Sequence, residues 1–121
     1  MSISQAEAQI MQVLWRLEDA TLEQLREALD ADSDWHESTI KTLLARLQKK
    51  GAVTADRDGR RFRYRPVLSE AQWQGEEARS FLDRVFGGQV APLVAFFGER
   101  GELGSKDVAE LKRLLQEMSD E

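Results

Sequence analysis

From Glu37 to Pro66 the chain changes its hydrophobic period once, across a single glycine. Before Gly51, the residues Ile40, Leu43, Leu44 and Leu47 recur at the i, i+3, i+4, i+7 spacing of one helical face. This predicts a helix over 37–50, with Gly51 in the left-handed position that ends it. After Gly51 the period is two: Val53, the turn dipeptide Asp58-Gly59, then Arg61, Phe62, Arg63, Tyr64 and Arg65 in alternation up to Pro66. That pattern predicts a β-hairpin with Phe62 and Tyr64 packed on a core and Arg61, Arg63 and Arg65 on the opposite face. An amphipathic helix feeding directly into a hairpin is compatible with few small folds.

Two more helices are expected upstream. Ile10, Val13, Leu14 and Leu17 share one helical face, and Ser4 with Glu7 has the spacing of a capping box, so a first helix is expected over 4–17. Asp19-Ala20-Thr21 is expected to break it, with Thr21 capping a short helix that carries Leu22, Leu25, Ala28 and Leu29. The polar stretch Asp30–Trp35 predicts a loop, with Trp35 stapling the start of the third helix and His36 open between capping and contact. The order helix, helix, basic helix, basic hairpin is that of a winged helix-turn-helix.

Charge is distributed along the same lines. The net charge of −5 hides a basic centre: residues 1–37 hold two Arg against nine acidic residues, residues 38–67 hold nine Lys and Arg against Asp56 and Asp58, and residues 69–121 hold six basic against eleven acidic. A polyanion would dock on that central stretch. On the third helix, 100° per residue places Ser38, Thr42, Ala45 and Lys49 opposite the apolar stripe, flanked by Lys41 and Arg46. The small side chains keep this surface thin enough to enter a major groove. Ser38, Lys41, Thr42 and Arg46 are therefore the expected base-reading residues, and Thr39, Lys49, Lys50, Arg60, Arg61, Arg63 and Arg65 the expected phosphate-binding ones.

Beyond Ser69 the chain is helical again, broken by Gly87-Gly88, and rich in large apolar residues. About fifty residues of this composition cannot bury them within short helices alone, so a second copy of the chain is expected to cover them. Trp73, Phe81, Leu82, Val85, Phe86, Leu93, Phe97, Leu111, Leu114 and Leu115 are the expected dimer residues. The expected architecture is mainly α with a small β-hairpin wing: a winged helix-turn-helix domain over 1–68 and a helical dimerisation domain over 69–121.

Catalysis has little to stand on. The chain has no cysteine and only His36 as a histidine, and no carboxylate is spaced with a serine elbow or a phosphate-cradling loop. No enzyme activity, metal or cofactor is expected. Apolar runs are too short to cross a bilayer and no signal peptide opens the chain, so a cytoplasmic protein without a membrane partner is expected. Two rivals to DNA binding stay open: a winged-helix module that contacts another protein through its acidic half, and a ligand-sensing regulator with a pocket among aromatics such as Phe96 and Phe97.

The run Ser38-Thr39-Ile40-Lys41-Thr42-Leu43-Leu44-Ala45-Arg46-Leu47, followed by Lys49-Lys50-Gly51-Ala52 and supported by Phe81-Leu82, Phe86-Gly87-Gly88 and Leu111, resembles the penicillinase and methicillin-resistance repressors and their copper-responsive relatives, the BlaI/MecI/CopY-like family. The resemblance runs nearly end to end. It implies a homodimeric repressor whose winged helices read an inverted repeat, typically with TACA and TGTA half-sites, and whose C-terminal helices hold the dimer. It would place Lys41, Thr42 and Arg46 closest to the bases or nearby phosphates and Arg61 and Arg63 in the wing. The chain departs from the family at three points. It lacks the cysteine cluster of the copper-responsive members. It carries Ala95-Phe96 where the β-lactam-responsive ones have the Asn-Phe pair cut by a regulatory protease. It has His36-Glu37 where the family often has Ser-Pro.

Overall fold

The computed structural model describes residues 1–30 and 35–120. Helix α1, Gln5–Leu17, opens on the expected capping box: the Glu7 amide donates to Ser4 Oγ at 3.1 Å and the Ser4 amide to Glu7 Oε1 at 2.7 Å. A cap of this kind contributes about 1 kcal/mol. The helix ends at Glu18, whose amide still donates to the Leu14 carbonyl while its φ swings to 72° and turns the chain.

The segment after it is more than the expected break. Ala20–Thr21 forms a two-residue strand, β1, which pairs antiparallel with the second hairpin strand. Ala20 and Thr21 are buried, and backbone groups buried there need partners, which the free edge of the hairpin supplies. Thr21 then caps helix α2, Leu22–Asp30: its Oγ1 accepts from the Gln24 amide and its own amide donates to Gln24 Oε1 at 2.9 Å. Asp30 closes α2 rather than opening the expected loop, the rest of which, 31–34, lies outside the described residues. Trp35 packs against the core, as a staple would.

Helix α3 spans Glu37–Lys50 and buries Ile40, Leu43, Leu44 and Leu47. Gly51 follows with φ 81°, a conformation a side chain would strain. Strands β2, Val53–Asp58, and β3, Arg61–Pro66, form the hairpin, and the sheet order is β1-β3-β2. The register pairs Asp58 with Arg61, so the two-residue turn is Gly59-Arg60, one position later than expected. Gly59 supplies its positive φ of 65°.

The chain divides into two compact units, Met1–Glu76 and Glu77–Glu121. The first holds one core, built from α1, α2, α3, the sheet and Leu68. Helix α4 spans Glu70–Phe86, and its first turns belong to this unit. Trp73, expected on a dimer surface, packs within this unit against Trp15, with ring centres 5.4 Å apart and planes tilted by 39°, while Trp15 Nε1 donates to the Leu68 carbonyl at 2.8 Å. The second unit holds the remaining turns of α4, helix α5, Val90–Glu99, and helix α6, Ser105–Ser119. Among the described residues no helix is long and apolar enough to cross a membrane.

Candidate nucleic-acid interface

The four leucine and isoleucine anchors fix the rotation of α3, so everything on its far side is solvent-facing. Ser38, Thr39, Lys41, Thr42, Ala45, Arg46 and Lys49 are all exposed. Ser38, Thr39, Thr42 and Arg46 line one shallow depression of about 280 Å³. Thr42 Oγ1 donates to the Ser38 carbonyl at 2.9 Å, which fixes the hydroxyl and leaves its lone pairs free to accept. The expected base-reading residues are thus together, with the exception of Lys41, which turns toward the hairpin.

Lys41 lines a groove of about 450 Å³ between α2, the start of α3 and the hairpin, together with Glu23, Glu37, Arg60, Arg61 and Phe62. Here the expected division of the hairpin into an apolar and a cationic face holds only in part. Tyr64 packs on the core, whereas Phe62 is 48% exposed and lies under the Arg57 guanidinium at 5.8 Å.

The cations differ in what holds them. Lys41 pairs with Glu37 at 3.5 Å, Arg61 with Glu23 at 3.8 Å, and Arg65 with Asp56. Arg63 is held by Asp58 at 2.9 Å and Asp19 at 3.0 Å, which together raise its already high pKa. Solvent and salt screen surface pairs of this kind, so a phosphate can displace the carboxylate. Arg46, Lys49 and Arg60 have no ion-pair or hydrogen-bond partner among the described residues. They are ready for an incoming anion.

Lys50 is committed elsewhere. Its Nζ lies 2.7 Å from Glu7 Oε1 and 3.0 Å from the Ser2 carbonyl, tying the last turn of α3 to the first turn of α1. Glu7 is only 2% exposed, and its Oε2 has no partner among the described residues. Burial pushes the Glu7 pKa up, but the hydrogen bonds from Lys50 and Ser4 outweigh it and hold the carboxyl below its ordinary value. Sequence reasoning grouped Lys50 with the outward cations, although the 100° wheel sets it 20° from Leu43, beside the buried stripe. It also passed over the carboxylates that hold the other cations. Of these, Glu37 and Lys41 carry a signal in their i, i+4 spacing, while the others depend on contacts between elements.

In the second unit Leu82 is buried and Phe86, Leu93, Leu111 and Leu114 are half-buried within the chain. Phe81, Val85, Phe97 and Leu115 are exposed, joined by Phe96 and by Val90, Val108 and Met118, the last three of which the sequence reading does not assign to an interface. Ala95-Phe96 lies inside α5 with both residues exposed.

Comparison with known proteins gives a consistent result. A family model described as penicillinase repressor matches residues 3–117. The penicillinase repressor of Bacillus licheniformis is 34% identical over 95% of this chain and 90% of its own length. The methicillin resistance regulatory protein MecI of Staphylococcus aureus is 30% identical over 93% of this chain and 92% of its own. Among solved structures, the DNA-binding domain of the repressor BlaI is similar at 37% identity and a TM-score of 0.54, covering 59% of this chain and 87% of that one. The monomeric form of Bacillus licheniformis BlaI in complex with the blaP half-operator is similar at 36% identity and a TM-score of 0.53, covering 60% of this chain and 88% of that one.

Proposed function

We propose that this chain, which belongs to the penicillinase repressor family, acts as a dimeric transcriptional repressor that lays one α3 in the major groove of each half of an inverted-repeat operator. The protein is a DNA-binding transcriptional repressor with a winged-helix fold. The observation that carries the mechanism is the thin exposed face of α3, Ser38, Thr42 and Ala45, bordered by the cations Arg46, Lys49 and Arg60, which have no partner among the described residues. Arg46, Lys49 and Arg60 engage DNA without first giving up a partner among the described residues, and Arg61, Arg63 and Arg65 exchange carboxylate for phosphate. Lys41 and Thr42 reach base edges, Thr42 through a hydroxyl already oriented by Ser38. Repression is steric and needs no chemistry, metal or cofactor. It takes place where the chromosome is, in the cytoplasm.

Replacing Thr42 by Ala is expected to relax base preference at one step of the site by about 1–3 kcal/mol, without changing the salt dependence of binding. A competition assay against duplexes varied one base pair at a time reads this directly. An unchanged preference would remove Thr42 from the base-reading set. Failure of the full chain to shift its own upstream DNA at any salt concentration would favour a protein-binding module instead.

The exposed apolar side chains of the second unit are the reason to assign it the dimer contact. Leu115 is 63% exposed, so Leu115→Lys combined with Phe81→Lys leaves the fold of one protomer little affected while placing charge in the contact. Sedimentation is expected to show half the native mass at micromolar concentration. A mass equal to that of the unaltered protein would move the contact elsewhere. Cleavage at Ala95-Phe96 as a route to derepression requires α5 to open first, because the pair is inside the helix.

A further inference from the structure

The sole carboxylate on α3 is Glu37, and it stands at the helix's first position. The N-terminal residues of a recognition helix are the ones brought to base edges. A negative group there is costly beside phosphates unless it has a partner on the DNA. Its surroundings show how it is kept in place. Glu37 Oε2 lies 3.7 Å from Arg26 Nη1 on α2, and Glu37 Oε1 lies 3.5 Å from Lys41 Nζ, one turn along α3. The two cations offset its charge, and the side chain stays 48% exposed. The end of α3 therefore presents an acceptor and a donor side by side, facing the groove shared with Arg60 and Arg61.

We propose that the Glu37–Lys41 pair reads a single C·G base pair, the carboxylate accepting from the cytosine N4 amine and the ammonium donating to guanine O6 and N7. This rests on the repressor reading above and adds a residue to it. The cytosine amine and guanine O6 are hydrogen-bonded to one another within the pair, so they lie about 3 Å apart along its major-groove edge. The 3.5 Å between Glu37 Oε1 and Lys41 Nζ matches that spacing, with donor facing acceptor at both positions. An A·T pair offers a similar amine and carbonyl, but its carbonyl stands beside the thymine methyl. Guanine gives the ammonium two acceptors on one base. The other carboxylates that hold cations, Asp19 between α1 and β1, Glu23 on α2, and Asp56 and Asp58 on the hairpin, can only be displaced by phosphate, since they are not on the helix that enters the groove.

The test selects binding sites from a randomised duplex library with the full chain, then measures affinity for the selected duplex and each of its single base-pair variants. Glu37→Gln keeps size and shape but removes the charge and adds a donor, so preference at one C·G position is expected to fall about tenfold and move toward A·T. Lys41→Met is expected to lose discrimination at that same position. If the unaltered chain enriches no sequence, the repressor reading itself fails. If it enriches a site but Glu37→Gln keeps the same base profile, the pairing with cytosine is overturned. A uniform gain in affinity on every duplex would overturn it too, showing that Glu37 does no more than compete with phosphate for Lys41.

Discussion

Lys49→Ala combined with Arg60→Ala is expected to weaken binding to every duplex, operator or not, by about sixtyfold at 0.1 M salt. Each phosphate neutralised adds about 0.9 to the slope of log affinity against log salt, which at 0.1 M, relative to 1 M, is about eightfold per contact. Two contacts multiply to about sixty, and the slope becomes shallower by about two. Neither side chain has a partner among the described residues, so nothing in the free protein is lost with them and the melting temperature should not move. Fluorescence anisotropy on one specific and one scrambled duplex across a salt series reads both quantities. A loss confined to the specific duplex, or an unchanged slope, would take these two residues off the phosphates.

Lys50→Met is expected to act on stability instead, costing about 2–3 kcal/mol. Removing one partner from a fully buried pair costs about 3–5 kcal/mol, and Lys50 falls below that because its side chain is 36% exposed. The cost arises at Glu7, whose carboxylate is left buried with Ser4 as its remaining partner. Glu7→Gln together with Lys50→Met is expected to recover part of the loss, since the amide carries no charge to strand. The pH dependence follows from the direction of the Glu7 shift. Its folded pKa is depressed, so the pair's contribution is complete well above the ordinary glutamate value of about 4.3 and is lost as pH falls through the lower folded value. Denaturant melts should therefore separate the unaltered protein from Lys50→Met at pH 7 and bring them together in acid. Under conditions where the variant is folded, its salt slope for DNA should equal that of the unaltered chain; a shallower slope would return Lys50 to the phosphates.

Periodicity was informative wherever one element decides the outcome by itself. The buried stripe of α3, its Gly51 stop, the Ser4–Glu7 box and the Thr21 cap depend on residues three to seven apart, and the sequence displays them directly. Features that arise between elements were harder to read. A two-residue strand such as β1 is too short to show alternation, and it exists because β3 has an edge to share. The turn moved one residue because Asp58-Gly59 carries the common signal with glycine second, whereas the register puts Gly59 first and Arg60 second. The contact of Trp73 with Trp15 joins residues far apart in sequence, which no local pattern displays. Lys50 looked like a phosphate ligand because charge alone does not separate a cation facing solvent from one anchoring a buried carboxylate. The exposed face of α3 was legible in its residues, but which cations are held by carboxylates was not, since Asp19, Glu23 and Asp58 reach them from other elements or across the hairpin.

For this protein to act as proposed, α3 and the hairpin turn must be the surface that meets DNA. Backbone amide chemical shifts of the full chain, followed by NMR as a selected duplex is added, test this most directly. Changes are expected along Ser38–Lys49 and Gly59–Arg61, with α5 and α6 little affected at constant oligomeric state. Changes concentrated in α5 and α6 while the α3 amides stay where they were would contradict it.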